Sequence, residues 1–198
     1  MAQPTAILRK EHEAVNRMLE AAEQAAEKLE RREAVRAELV DGIMEFFELF
    51  VDKCHHGKEE ELFFPALAKK GMPVEGGPIG VMLQEHEDGR ALARRMREAA
   101  NAYARGDTAA GTAWASAAKT YVRLLKEHIL KENHVIFPMA EGIFAPAEED
   151  ALAAQFDQLE IEKMGRGTHE RLHARMEEIL REVSAGMAGC SSHNSSGE

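Results

Sequence analysis

The pattern His-x3-Glu-x5-Pro occurs twice in this chain, once from His55 to Pro65 and once from His128 to Pro138. The two segments, HHGKEEELFFP and HILKENHVIFP, carry the same residue at five of eleven positions. A histidine and a glutamate four residues apart on a helix project from one face, one turn apart. Such a pair can hold a metal ion, and two copies can hold two. The repeat therefore predicts a helical protein in which two helices each present a metal-binding pair.

The composition favours the same fold class and narrows the range of partners. Ala, Glu, Leu, Lys, Arg and Met dominate, and runs of β-branched residues are absent, which predicts an all-α fold. The net charge of −10 argues against nucleic acid as a partner, because phosphate binding needs a basic face. No apolar run approaches the roughly 20 residues of a membrane span, and no signal peptide is visible. Cys54 and Cys190 form no CxxC pair, so we expect a cytoplasmic protein without a membrane partner.

Breaks in the helical pattern divide the chain into an up-down-up-down four-helix bundle and a C-terminal extension. His12 and His86 each precede a copy of the repeat by a similar distance, so the halves resemble two helical hairpins. Asp107 or Thr108 is the expected cap of the fourth helix. The predicted divisions are the bundle at 1–145, a fifth helix packed on it within 146–185 (about 147–183) and a flexible tail at 186–198.

The apolar register predicts which side chains of the repeat face inward. His55 and Glu59 share a stripe with Phe47, Val51 and Leu62, whereas His56 and Glu60 share one with charged residues. We therefore expect the first pair to face the core and the second pair to face solvent, so that His56→Ala leaves metal binding nearly intact.

The other three histidines of the bundle lie on similar apolar stripes. His12, His86 and His128 are each flanked by aliphatic side chains at helical spacing. The glutamates that directly precede them are expected to be solvated, because adjacent residues on a helix do not face each other. These three are Glu11, Glu85 and Glu127.

Burial of two carboxylates argues for a cation. Burying a carboxylate costs several kcal/mol unless a cation or a hydrogen-bond donor compensates its charge. No inward Arg or Lys is evident on these stripes. We therefore favour a metal cluster over four ordinary core histidines. Imidazole and carboxylate suit iron, zinc, manganese or copper, and each glutamate can bridge two ions about 3.5–4 Å apart.

With these residues the sequence resembles the hemerythrin-like family, also called the HHE cation-binding domain, over roughly residues 5–140. The resemblance implies a four-helix bundle around two iron ions bridged by an oxo or hydroxo group, with zinc or manganese as second choices. By motif position, Glu59 and Glu132 would be the bridging carboxylates. The imidazole ligands would be His12, His55, His86 and His128.

One departure from that family bears on activity. Oxygen-carrying hemerythrins place two histidines four apart on the third helix, but Met82 and Arg90 flank His86 at that spacing. This departure argues against simple reversible binding of oxygen. It also predicts that one of the two metal ions is more open to an added ligand. His169 on the fifth helix lies near the edge of its apolar stripe, and we expect it either to add a seventh metal ligand or outer-sphere donor, or to be an ordinary interfacial histidine.

Several functions remain compatible with these residues. The first is a di-iron protein that binds or reduces O2, peroxide or nitric oxide. The alternatives are an iron or oxygen sensor read by an unspecified protein partner, and a repair protein for iron centres, an activity known in the resembling family. Repair ranks lower because such members commonly carry an N-terminal cysteine-bearing segment, whereas this chain starts at the bundle. A ferritin-like oxidase needs Glu-x2-His on two helices, and only Glu170 and His173 fit.

Overall fold

Helices account for all the regular secondary structure in the computed structural model, which describes residues 3–188; within that range there is no β-strand. The predicted all-α fold is therefore confirmed. The α-helices are α1 (Pro4–Glu30), α2 (Ala37–Phe46), α3 (Phe64–Lys69), α4 (Pro78–Ala104), α5 (Thr108–Lys131), α6 (Phe137–Ala140), α7 (Pro146–Met164) and α8 (Thr168–Ala188). Three π-helical segments are π1 (Phe47–His56), π2 (Glu59–Phe63) and π3 (Glu132–Ile136).

Four long helices form the bundle. The first is α1, and the third is α4. The second runs without interruption from α2 through π1 and π2 to α3, and the fourth from α5 through π3 to α6. The first and third helices each pack against α2 and α5, so the four form a ring joined by short connections. The Asp107 side chain caps α5 by accepting hydrogen bonds from the amides of Ala109 and Ala110, as predicted.

The bundle has two apolar cores with a polar belt between them. One core contains Val15, Val51 and Leu125 together with the apolar face of α8. The other contains Leu8 and Phe63 together with buried side chains of α7. The inward histidines and glutamates lie between these cores along every bundle helix, so the belt is shielded from solvent at both ends.

π-Helical turns occur where the repeat lies. In π1, π2 and π3 the backbone hydrogen bonds reach five residues back, and such turns are frequent at functional sites. A turn with more residues rotates the chain less per residue, so two consecutive side chains can face one interior. His55 and His56 are both buried. The expectation that His56 faces solvent is wrong, because the third bundle helix covers this face and the His56 ring stacks on His86.

The expected single fifth helix is also wrong, since α7 and α8 are separated by a turn. Gly165 and Gly167 in that turn have φ angles of 82° and 79°, a left-handed conformation that ends α7. The α7 helix packs against π1 and α1, and α8 packs against α1 and α2. The α8 helix extends to Ala188, and the rest of the predicted tail, including Cys190, lies outside the described residues. No helix among the described residues is long and apolar enough to cross a membrane.

Candidate metal centre

Six of the seven predicted ligands meet in the polar belt, and each is at most 2% exposed. All four bundle helices contribute: one histidine comes from each, and the second and fourth helices add one glutamate each. Regular α-helix positions the histidines of α1, α4 and α5, whereas His55 and both glutamates lie in π-helical segments. The six residues are His12, His55, Glu59, His86, His128 and Glu132.

The first group of ligand atoms forms around the histidines of helices one and two. The Nε2 atoms of His12 and His55 are 3.0 Å apart. Glu132 Oε2 lies 3.0 Å from His12 Nε2. Glu59 Oε1 lies 3.7 Å from His55 Nε2. Two nitrogens and two oxygens thus converge on one point.

The second group repeats this arrangement on helices three and four. The Nε2 atoms of His86 and His128 are 3.1 Å apart. Glu59 Oε2 lies 3.4 Å from His86 Nε2, and Glu132 Oε1 lies 3.3 Å from His128 Nε2. Each glutamate therefore directs one oxygen to the first group and the other oxygen to the second, which is the arrangement of a carboxylate that bridges two ions.

An outer ring of oxygen atoms orients the four imidazoles. The Nδ1 atom of His55 lies 2.8 Å from Glu11, that of His86 2.6 Å from Glu60, and that of His128 3.0 Å from Glu85. The Nδ1 atom of His12 lies 3.0 Å from Asn133 Oδ1. When each Nδ1–H donates outward, a neutral imidazole keeps its Nε2 lone pair directed towards the centre. Metal-binding histidines in proteins are held in this way.

Sequence reasoning missed all four members of this outer ring, and it did not consider Asn133. Glu11, Glu60 and Glu85 were expected to be solvated, and that expectation is wrong for all three, while Glu127 is exposed as expected. The prediction considered only neighbours on the same helix. Glu11 and Glu85 instead reach the histidine of the next helix, and the Glu-His pair that both halves share was the available signal.

Cations hold these outer carboxylates. Lys58 and Lys131, the lysines shared by the two repeats, bond to Glu11 and Glu85 respectively. Lys58 is only 2% exposed, so the expectation of no inward cation is wrong. Its ammonium, however, bonds to Glu11 and Glu160. Burial acts to raise the pKa of Glu11, but His55 and Lys58 outweigh it and lower that pKa.

No lysine or arginine that the structure describes pairs with the inner carboxylates. Burial acts to raise the pKa of Glu132, but His128 and His12 outweigh it and lower that pKa. Among the described residues, no hydrogen bond reaches any of the four oxygens of Glu59 and Glu132. Burial, together with the charge of Glu132, raises the pKa of Glu59 well above its ordinary value. The Nε2 atoms of two histidine pairs also lie only 3.0 and 3.1 Å apart. Two cations would satisfy all of these atoms at once, and the donor set of imidazole and carboxylate fits iron, zinc or manganese.

His169, the seventh predicted ligand, lies apart from both groups. It is half-buried, with its Nδ1 3.0 Å from Glu160 Oε1, in a cluster that also contains Cys54. Glu160 bonds to Lys58, so His169 connects to His55 only through intervening side chains. Burial acts to raise the pKa of Glu160, but His169 and Lys58 outweigh it and lower that pKa to about 2.

Two cavities approach the belt from different sides. One, of about 320 Å³, lies between the second and third bundle helices and is lined by His56, Gly89 and Tyr121. The other, of about 600 Å³, lies between α1 and the α7–α8 pair and is lined by Glu11 and Lys58. Since His56 stacks on His86 and Glu11 bonds to His55, each cavity is separated from one group by a single layer of side chains.

The fold and the paired histidine–glutamate groups define the class of protein. The chain belongs to the hemerythrin HHE cation binding domain family, whose model matches residues 3–140.

Relatives of two kinds are similar to it. The Mycobacterium tuberculosis protein Rv1995, named as uncharacterized, is 24% identical over 172 residues, 87% of this chain and 67% of that protein. The iron-sulfur cluster repair protein YtfE of Enterobacter sp. is 34% identical over 122 residues, 58% of this chain and 54% of that protein. YtfE of Escherichia coli O1:K1 is 31% identical over 120 residues. The chain spans about half the length of these repair proteins.

Proposed function

We propose that the six central residues hold two metal ions, that both are iron, and that the pair binds or reduces a small oxidant such as O2, peroxide or nitric oxide. The observation that carries the proposal is the set of four buried carboxylate oxygens that no hydrogen bond reaches within the described residues, beside the ring nitrogens of four buried imidazoles. Iron would supply a change of oxidation state and open positions for a small ligand.

The rest of the chain supports binding of a small molecule. Both cavities bring a molecule of the size of O2 within one side chain of a group. Arg90, one of the two residues that flank His86 at the spacing of the further histidine in the oxygen carriers, bonds to Asp52, Glu60 and Glu87. A guanidinium has no lone pair for a metal, so this position supports reactivity rather than simple oxygen carriage.

Metal analysis and optical spectroscopy test the proposal. We expect about two iron ions per chain and a near-ultraviolet absorption band that changes under air, peroxide and nitric oxide. His55→Ala and Glu132→Ala should each lose metal, whereas His134→Ala, at an exposed position, should retain it. A folded wild-type protein that takes up no iron, or an iron-loaded protein whose spectrum ignores all three oxidants, would contradict the proposal.

Repair of iron centres is the second candidate, because the YtfE relatives carry that function in their names. In this case the iron-loaded protein should reactivate an iron–sulfur hydro-lyase that nitric oxide has damaged, and the metal-free protein should not. Equal recovery with and without the protein would exclude repair while leaving the metal centre intact.

A further inference from the structure

His56 is a fifth histidine beside the centre. Its side chain is 3% exposed, and its ring stacks on that of His86 with 3.8 Å between centroids and 15° between planes. One ring nitrogen lies within 4.8 Å of ligand nitrogens of both His86 and His128. His56 thus borders the second group, although its neighbour His55 belongs to the first.

The ring carries a polar atom that the fold leaves unsatisfied. His56 Nδ1 is buried and makes no hydrogen bond within the described part of the chain. Asp52 Oδ1 lies 3.7 Å away, held by Arg90 at 2.6 Å. In the other four imidazoles, Nδ1 lies near a side-chain oxygen and Nε2 lies at the centre. A buried imidazole costs free energy that an apolar side chain would avoid, so packing alone does not explain this residue.

The internal repeat supplies a comparison within the same molecule. The second copy has Ile129 in the position of His56, and Ile129 belongs to the apolar core. The backbones differ at the same point: His56 ends π1, whereas His128 and Ile129 lie in the regular helix α5. Consecutive side chains are buried in both copies, so the copies differ in which side chain, imidazole or aliphatic, follows the ligand histidine. The first group therefore has no counterpart of His56 in the repeat.

We propose that His56 is a protein ligand of the metal ion in the second group, an inference that rests on the proposed two-metal centre. That ion then has three imidazoles and two carboxylate oxygens, and the ion of the first group has two of each. The extra histidine comes from the second bundle helix rather than from the third, where Arg90 stands. The two ions are chemically unequal, and the one in the first group has more room for an added ligand.

The test uses His56→Ile, which copies the residue of the second repeat, and His134→Ile as the control at an exposed position. Metal-free proteins are titrated with Co²⁺ under nitrogen and followed by visible absorption and calorimetry. We expect His56→Ile to weaken binding of one Co²⁺ by about a hundredfold, the upper end of the range for loss of an outer partner, and His134→Ile to match wild type. His56→Asn, which keeps a polar side chain, should show the same loss.

Mössbauer spectra of the iron-loaded proteins give an independent readout. Wild type should show two iron environments, and His56→Ile should change only one of them. If His56→Ile binds two Co²⁺ ions as tightly as wild type and both iron environments are unchanged, His56 is not a ligand and the two-metal centre stands. If wild type itself fails to bind two ions, the proposed function fails first.

Discussion

Replacing Glu59 by leucine should have opposite effects on the metal-free and the metal-loaded protein. Glu59 is fully buried, and neither of its oxygens accepts a hydrogen bond among the described residues. Without metal, this carboxyl group has lost its hydration and gained nothing in return. With metal, the same two oxygens would bridge the two ions. The carboxylate is therefore a cost in one state and a source of stability in the other.

The magnitudes follow from these two roles. Leaving a buried polar group unsatisfied costs about 1–3 kcal/mol, so Glu59→Leu should raise the free energy of unfolding of the metal-free protein by about 2 kcal/mol. For a domain of this size that corresponds to roughly 4–8 °C in Tm. Each ion present at about 100 times its Kd stabilises the wild type by about 2.7 kcal/mol, and the variant should lose most of that increment.

Differential scanning calorimetry with chelator and with Fe²⁺ under nitrogen measures both quantities. Glu61→Leu is the matched control, because Glu61 is exposed two residues after Glu59 and pairs with Lys163 at the surface, so its replacement should change stability by no more than about 1 kcal/mol. A chelated Glu59→Leu protein less stable than wild type would show that the carboxylate is compensated without metal. Undiminished stabilisation of the variant by Fe²⁺ would show that Glu59 holds no ion. Either result refutes the reasoning.

Three further predictions concern the outer ring, the α7–α8 cluster and the turn. Glu85→Gln should weaken metal binding by about 10- to 100-fold, because the His128 imidazole loses its charged acceptor. Glu127→Gln should leave metal binding unchanged, and competition with a chelating dye measures the affinity of both variants. Glu160 has a folded pKa of about 2, below its unfolded value, so its stabilisation is complete above about pH 4.5 and is lost as the pH falls towards 2. Urea unfolding of Glu160→Gln should therefore depend less on pH in that window than unfolding of wild type, and parallel curves would contradict the assignment. Gly165→Ala should destabilise by about 1–2 kcal/mol, because φ is 82° there, whereas Gly57→Ala, inside a helix, should not destabilise; chemical denaturation compares the two.

Most of the inner site follows from periodicity and repetition. Histidines on apolar stripes and a doubled His-x3-Glu pattern locate six residues, and the structure brings all six into the belt. The prediction worked for these because the apolar register of a long helix indicates which face is buried. It failed for His56 because the third bundle helix covers that stripe as well, and the stacking of His56 on His86 is a contact between helices that position along one helix does not reveal.

The outer ring depends on packing between helices rather than on position along one helix. Glu11 looks like a solvated neighbour of His12 until the second helix places His55 and Lys58 against it. His169 is the opposite case, because its position on a helical wheel predicted a metal ligand. The turn with Gly165 and Gly167 separates α8 from α7, and His169 contacts Glu160 instead of the metal centre.

The sequence by itself determined the helical fold, the pairing of its halves and the six inner residues, because helical spacing and burial are encoded locally. Only the tertiary structure decided how those residues divide into two groups, with each glutamate directing one oxygen to each. It also decided which carboxylates orient the imidazoles, and that His56 faces inward. These features depend on contacts and distances between helices, which arise only when the four helices pack together.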